Sequence, residues 1–343
     1  MPEPSPIRPK RRSRVLRFVS GLLILCAVAA YLVVQYVTGG GGAEGCKVVS
    51  GRSDGESYEF TPEQAVNAAT IAAVGTDRGM PERAVAIALA TAIQESGLLN
   101  IEHGDRDSLG LFQQRPSQGW GTEKQILDPA YAAGIFYAHL AKVPDYETLP
   151  LTVAAQRVQR SGYPQAYAKH ETDATLLAAA LTGQAAATLT CDGRPAARTE
   201  TATTAATTST GTGTDAVRTA LVRDFGRDAV EEAGAEVSGS SASSPTPTPT
   251  PSVTATAHGR TVTVPVPEGK KKDKSGRTES ERGWQLAHWA VANSSALHIQ
   301  RVSYAGREWA AGSTDSQWEP ASGTQGTGGA EKSAGSVRIV TGQ

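Results

Sequence analysis

A single carboxylate at the end of an apolar segment is the first feature of this sequence that could do chemistry. Glu95 closes a mostly apolar run that starts after Pro81, and Gly97 follows two positions later. The run has scarcely any polar face, so it predicts a buried helix that begins near Pro81 and stops at Gly97. Glu95 would lie at the negative end of the helix dipole and beside apolar surface, which both disfavour the charged carboxylate. A carboxyl group kept protonated near neutral pH can act as a general acid.

Two nearby arginines offer Glu95 a structural role instead. Arg106 and Arg115 both follow it in the polar segment after the helix. An ion pair with either would perturb the carboxylate just as a catalytic environment does. Glu95 as the cap of a buried helix is therefore the alternative to Glu95 as an acid.

A second carboxylate for glycoside chemistry could come from Asp105 or Asp107. A retaining glycosidase needs its two carboxyl groups about 5 Å apart, and an inverting one needs about 6.5–9.5 Å to admit a water. The sequence gives no such distance. An Asp-x-Asp-Ser turn is also common as a loop that caps itself through its own side chains.

The segment around Glu95 resembles the signature of soluble lytic transglycosylases and goose-type lysozymes. The matching residues are Glu95-Ser96, Asn100 and the pattern Ser108-x-Gly110-Leu111-x-Gln113. Asp128-Pro129, which precedes an alanine-rich helix with Tyr137 and Leu140, is similar to a later helix of that superfamily. The resemblance extends over about residues 58 to 190.

The resemblance implies a mainly α lysozyme-like domain at 46–192 that acts on peptidoglycan glycan strands. In the superfamily, the glutamate protonates the glycosidic oxygen between MurNAc and GlcNAc, and the MurNAc 6-hydroxyl can attack without a protein nucleophile. Glu95 would then be catalytic. The substrate-binding residues would be Ser96, Asp107, Gly110, Phe112 and Gln113. The predicted enzyme needs no cofactor and no metal.

One segment departs from the superfamily pattern. Where the transglycosylases carry Ala-Ala-Tyr-Asn-Ala-Gly, this chain has Ala-Ala-Gln-Arg-Val-Gln-Arg at 154–160, so the usual groove tyrosine is missing. A catalytically inactive protein that binds or organises the cell wall is therefore the rival to a lytic transglycosylase or muramidase.

The N-terminus predicts a membrane anchor. Phe18 to Val37 forms a stretch of about 20 mainly apolar residues, which is long enough to cross a bilayer as a helix. Six basic residues precede it: Arg8, Lys10, Arg11, Arg12, Arg14 and Arg17. This charge bias predicts a cytoplasmic tail at 1–17, a transmembrane helix at 18–38 and an extracytoplasmic remainder. A cleaved signal peptide is the competing interpretation.

Cysteine placement agrees with export. Cys46 and Cys191 bracket the predicted lysozyme-like domain, while Cys26 falls within the apolar stretch. In an oxidising compartment, the two outward cysteines are expected to form a disulfide that joins the domain's ends.

The C-terminal part predicts a linker followed by a small α+β module. Residues 193–212 have almost no large apolar side chains, and 213–343 reads as a module with a disordered Pro/Thr insertion at about 238–253. The module's expected elements are helices at 215–233 and 281–297, strands at 260–266 and 336–340, and a hairpin of 299–304 with 307–310. Its pattern GWxLAxWxVAN…VxYxGRxW is similar to uncharacterised C-terminal modules of exported actinobacterial proteins.

The module's chemistry is less specific than that of the helix end. The module could contact another envelope protein. Its tryptophans could stack on glycans or fill a core: Trp284, Trp289, Trp309 and Trp318. The scattered histidines show no zinc-ligand spacing. The net charge of −1 over 343 residues offers no electrostatic reason to expect nucleic acid.

Overall fold

The computed structural model describes residues 45–52, 54–163, 165–192, 213–231, 256–258, 260–266, 276–312, 317–321 and 335–342. The predicted cytoplasmic tail, the apolar stretch Phe18 to Val37, the linker 193–212 and the Pro/Thr insertion lie outside these residues. In the described part of the chain, no helix combines the length and apolarity needed to span a bilayer.

Helices dominate the first part of the described chain. They are α1 (Pro62–Asp77), α2 (Glu82–Ser96), α3 (Glu123–Ile126), α4 (Pro129–Leu140), α5 (Leu151–Gln159) and α6 (Glu171–Leu181). Thr61 begins α1 with a reciprocal capping box, and Asp128 begins α4 by accepting two backbone N–H groups. The boundaries of both helices are therefore determined locally, by their caps.

Helix α2 is the apolar centre of this helical region. Every residue from Ala84 to Ile93 is buried, and α2 packs against α1, α4, α5 and α6. Pro81 precedes the first turn, and Gly97 ends the helix in the left-handed conformation (φ 65°). The sequence prediction of a buried helix between these two residues is confirmed.

A small antiparallel sheet joins the two ends of the helical region. Strand β1 (Cys46–Val49) pairs with β2 (Ser57–Phe60) on one side and β3 (Leu189–Cys191) on the other. Cys46 lies directly opposite Cys191, and the two form a disulfide across a sequence separation of 145. The predicted disulfide is confirmed. A loop of this length corresponds to about 5 kcal/mol of stabilisation in the chain-entropy model.

The C-terminal part of the described chain forms one helix-backed antiparallel sheet. Its elements are α7 (Gly213–Glu231), β4 (Thr256–His258), β5 (Thr261–Pro265), α8 (Glu279–Ala292), β6 (Ile299–Tyr304), β7 (Arg307–Ala310), β8 (Glu319–Pro320) and β9 (Ser336–Thr341). Among the described residues, the strand order is β4-β5-β9-β6-β7-β8. The predicted hairpin turns at Ala305-Gly306, both with positive φ, as its tight turn requires.

Two predicted helices have different limits in the structure. Helix α8 ends at Ala292 rather than 297, where Asn293 directs its side-chain amide back to the Trp289 carbonyl. Helix α7 is interrupted at Gly226, whose φ of 74° and ψ of 165° are not helical. A glycine inside a periodic pattern permits such a break.

The tryptophans of the C-terminal part form its core. Trp289 and Trp309 are fully buried, and Trp284 meets Trp318 and Tyr304 edge-to-face at ring distances near 5 Å. Trp318 also donates its indole N–H to the Leu189 carbonyl at 2.9 Å. Burial removes these rings from any surface where a glycan could stack on them.

Buried polar contacts connect the C-terminal elements to the helical region. The Asp224 carboxylate on α7 is fully buried, and it accepts hydrogen bonds from Thr70 on α1 and from the Trp289 indole on α8. Gln285 on α8 donates its amide to Thr76 on α1 at 2.6 Å. The sequence analysis predicts a loosely linked module, whereas these contacts place α1, α7 and α8 in one shared core.

His288 makes a second such connection. It is fully buried on α8, where its Nδ1 lies 2.7 Å from the Ala180 carbonyl and its Nε2 lies 3.2 Å from the Thr188 backbone N–H. A backbone N–H only donates, so Nε2 accepts and the proton of the neutral ring is on Nδ1. Burial lowers the pKa of His288 to about 4.

We expect Asp224→Ala to lower the free energy of unfolding by about 2–4 kcal/mol, because Thr70 and the Trp289 indole lose a buried acceptor and Arg223 loses its ion-pair partner. Denaturant unfolding measures this. Asp215→Ala on the same helix removes an exposed carboxylate and should cost below about 1 kcal/mol. Equal effects of the two substitutions would contradict a shared core.

His288 predicts a loss of stability in mild acid. Its pKa in the folded protein is below the ordinary value of 6.5, so the unfolded chain takes up the proton first as the pH falls. The free energy of unfolding should therefore decrease by on the order of 3 kcal/mol between pH 6.5 and 4. Unfolding curves across this range test it, and His288→Gln should flatten the dependence.

Candidate active site

An open groove of about 770 Å³ lies beside the end of α2. Residues from several distant parts of the chain line it: Glu95, Asp105, Gln113, Trp120, Lys142 and Arg160. Trp120 is half-buried and meets the His139 ring edge-on at 4.3 Å. Carboxylates, cations, an amide and an aromatic ring therefore line one groove.

Glu95 is the carboxylate that the fold orients most tightly in this groove. The Tyr167 hydroxyl donates to its Oε1 at 2.6 Å, a short hydrogen bond. Tyr167 is fully buried, and burial together with the neighbouring Glu95 raises the pKa of its hydroxyl. The hydroxyl therefore remains a donor throughout the neutral range. Oε2 of Glu95 has no hydrogen-bond partner in the described part of the protein.

The two arginines do not pair with Glu95. Arg115 instead binds Asp107, with Nε 2.7 Å from Oδ1, and Arg106 makes no salt bridge among the described residues. Hydrogen bonds from Ser117 and Arg115 hold the pKa of Asp107 well below its ordinary value. Asp107 is therefore occupied in closing its own loop. Asp105, not Asp107, is the aspartate that lines the groove.

Polar side chains of α2 and α5 position the groove's backbone. Residues 109–114 form a tight turn that is closed by paired backbone hydrogen bonds between Leu109 and Gln114. The Ser96 hydroxyl donates to the Leu111 carbonyl at 2.8 Å, and the Gln159 amide donates to the Phe112 carbonyl at 2.8 Å. These bonds attach the turn to α2 and α5.

Two predicted substrate contacts are buried instead. The Phe112 side chain is fully buried and stacks on Phe136 at 4.7 Å, so its ring does not reach the groove. Gly110 is also buried, with φ of 74°, and a Cβ there would lie 2.7 Å from the Ile126 carbonyl. Of the predicted contacts, Gln113 does line the groove, next to Glu95.

A basic wall, made of His139, Lys142, Arg157 and Arg160, lines the same groove. The sequence analysis notes the 154–160 segment only as a departure from a pattern, and it does not single out Tyr167, His139 or Lys142. The available signal in the sequence was the pair of arginines, Arg157 and Arg160, within the 154–160 segment. His139, Lys142, Arg157 and Arg160 line the same groove as Glu95 because α2, α4 and α5 pack against one another.

In the described ranges, no group of three His, Cys, Asp or Glu side chains could hold a metal ion.

Comparison with known proteins gives no family assignment. No protein-family model matches the chain, and no curated protein sequence matches it.

The geometry predicts that Gly110 acts on stability. Gly110→Ala should lower the free energy of unfolding by about 2–3 kcal/mol, because the left-handed backbone is strained and the new Cβ collides with Ile126. Gly119→Ala shares the left-handed backbone but meets nothing within 4 Å, so it should cost about 1 kcal/mol. Thermal unfolding of both variants tests this. Equal losses would mean that the collision is relieved without cost.

Proposed function

We propose that this protein is a membrane-anchored, extracytoplasmic enzyme that cleaves the MurNAc–GlcNAc bond of peptidoglycan, as a lytic transglycosylase or a muramidase. The observation that carries the proposal is the Glu95 carboxylate in an open groove, held by the Tyr167 hydroxyl at 2.6 Å. The resemblance of residues 95–113 to the lysozyme-like superfamily supports it, and so does the Cys46–Cys191 disulfide, which suits an oxidising compartment.

The proposed chemistry uses Glu95 as acid and then as base. Protonated Glu95 gives its proton to the glycosidic oxygen as the bond to the sugar's anomeric carbon breaks. The resulting carboxylate then takes a proton from the attacking hydroxyl, either the MurNAc 6-hydroxyl or a water. Tyr167 binds Oε1 of Glu95, so Oε2 is the oxygen that would exchange the proton with the glycan.

Asp105 is the remaining carboxylate of the groove, and it would determine whether water attacks. Attack by the MurNAc 6-hydroxyl needs no second carboxylate. Hydrolysis uses one, either as a base that activates water or as a nucleophile whose glycosyl intermediate is then hydrolysed by water. The anhydro or reducing end of the product therefore identifies the reaction.

The rival proposal is a wall-binding protein without turnover. It is favoured by the absence of the Tyr-Asn pair of the transglycosylases at 156–157 and by the engagement of Asp107 with Arg115. Such a protein would still bind glycan strands through the groove. Binding and cleavage must therefore be measured separately.

We expect Glu95→Gln to reduce the release of muropeptides from purified peptidoglycan by about 10²–10⁴-fold, the usual effect of removing an acid catalyst. Tyr167→Phe should reduce it by about ten-fold, since the hydrogen bond that orients the Glu95 carboxyl group is lost. Mass analysis of the soluble products measures both rates.

Glu102→Gln is the matched control, because Glu102 is exposed and does not line the groove. Its rate should equal that of the unaltered protein. If the unaltered protein binds peptidoglycan but releases nothing, the rival proposal is correct.

A further inference from the structure

The basic wall brings unpaired positive charge to the groove. Among the described residues, neither Lys142 nor Arg160 has a carboxylate within salt-bridge distance. The other two arginines of the groove are engaged, since Arg115 binds Asp107 and Arg157 donates to the Pro144 carbonyl. The groove also contains Glu95 and Asp105, and neither of them pairs with Lys142 or Arg160.

Lys142 and Arg160 line the groove together with His139. Burial, followed by the charges of Lys142 and Arg160, lowers the pKa of His139. The two cations come from different elements, since Lys142 follows α4 and Arg160 ends α5. The tertiary structure therefore brings both cations to one groove, and a cleft lined by positive charge attracts anions.

Arg160 occupies a backbone position that usually holds another type of residue. Arg160 ends α5 in the left-handed conformation with φ of 52°, a position that proteins normally give to glycine or asparagine. A side-chain-bearing residue there is strained.

We propose that Lys142 and Arg160 form a subsite for a carboxylate carried by the glycan, so that the groove selects muramyl sugars over neutral N-acetylglucosamine chains. The inference rests on the proposed function and names its substrate preference. The carboxylate can come from the lactyl group of a peptide-free MurNAc or from the stem peptide. In the peptide-bearing sugar, the lactyl carboxyl is consumed in an amide, so the two sources can be tested separately.

The test measures binding by the full-length chain carrying Glu95→Gln, which removes turnover. Three tetrasaccharides are compared by titration calorimetry at low salt: peptide-free MurNAc–GlcNAc, the same sugar with stem peptides, and neutral tetra-N-acetylchitotetraose. At least one muramyl ligand should bind about 5- to 20-fold more tightly than the neutral one, a range set by two partly exposed ion pairs. The preference should shrink as the ionic strength rises.

Substitutions then locate the preference. Lys142→Gln with Arg160→Asn should abolish the preference by lowering the affinity for the muramyl ligands to that for the neutral tetrasaccharide, and asparagine suits the left-handed position. Lys124→Gln, an exposed lysine outside the groove, should leave the preference intact. Equal affinity for all three ligands, or a preference that survives the double substitution, would overturn the proposal.

The two proposals can fail independently. Charge-selective binding without product release by the unaltered protein would reject the enzyme and keep the carboxylate subsite. Product release with charge-blind binding would keep the enzyme and reject the subsite.

Discussion

The burial of α2 is the constraint on which the rest of the structure depends. From Ala84 to Ile93 every side chain of this helix is covered, so other helices must surround it on all sides. Glu95 is placed where the covered part ends, at the last turn before Gly97. A carboxylate there must find a polar partner or face water. The fold supplies both, because Tyr167 binds one oxygen and the open groove adjoins the side chain.

The turn that forms part of the groove illustrates how polar residues act through the backbone. Ser96 and Gln159 bind the carbonyls of Leu111 and Phe112, and Asn100 binds the carbonyl of Leu127. Each side chain satisfies a backbone acceptor that would otherwise be left without a partner in a partly buried loop. Ser96, Asn100 and Gln159 therefore act on the backbone of the loops beside the groove.

The C-terminal elements contribute to the same core. Asp224, Gln285 and His288 are buried polar groups whose partners lie on α1, on α6 or just before β3. Such groups are costly unless every partner is present. The described part of the C-terminal region and the helical region are therefore coupled in stability. The composition of residues 193–212 predicts a linker, and a linker does not indicate whether the regions on either side of it pack together.

By itself, the sequence determined the local features of this protein. Apolar runs, caps and glycines give the limits of α2 and α4 and the hairpin at Ala305-Gly306, because caps and turns are local chemistry. The sequence also indicates that Glu95 is a candidate acid, since its position at the end of an apolar helix is a local property. Only the tertiary structure decided that Tyr167 binds Glu95, that Phe112 is buried, and that Lys142 and Arg160 line one groove with Glu95. These contacts join residues far apart in the chain, and they exist only where packed helices bring side chains together.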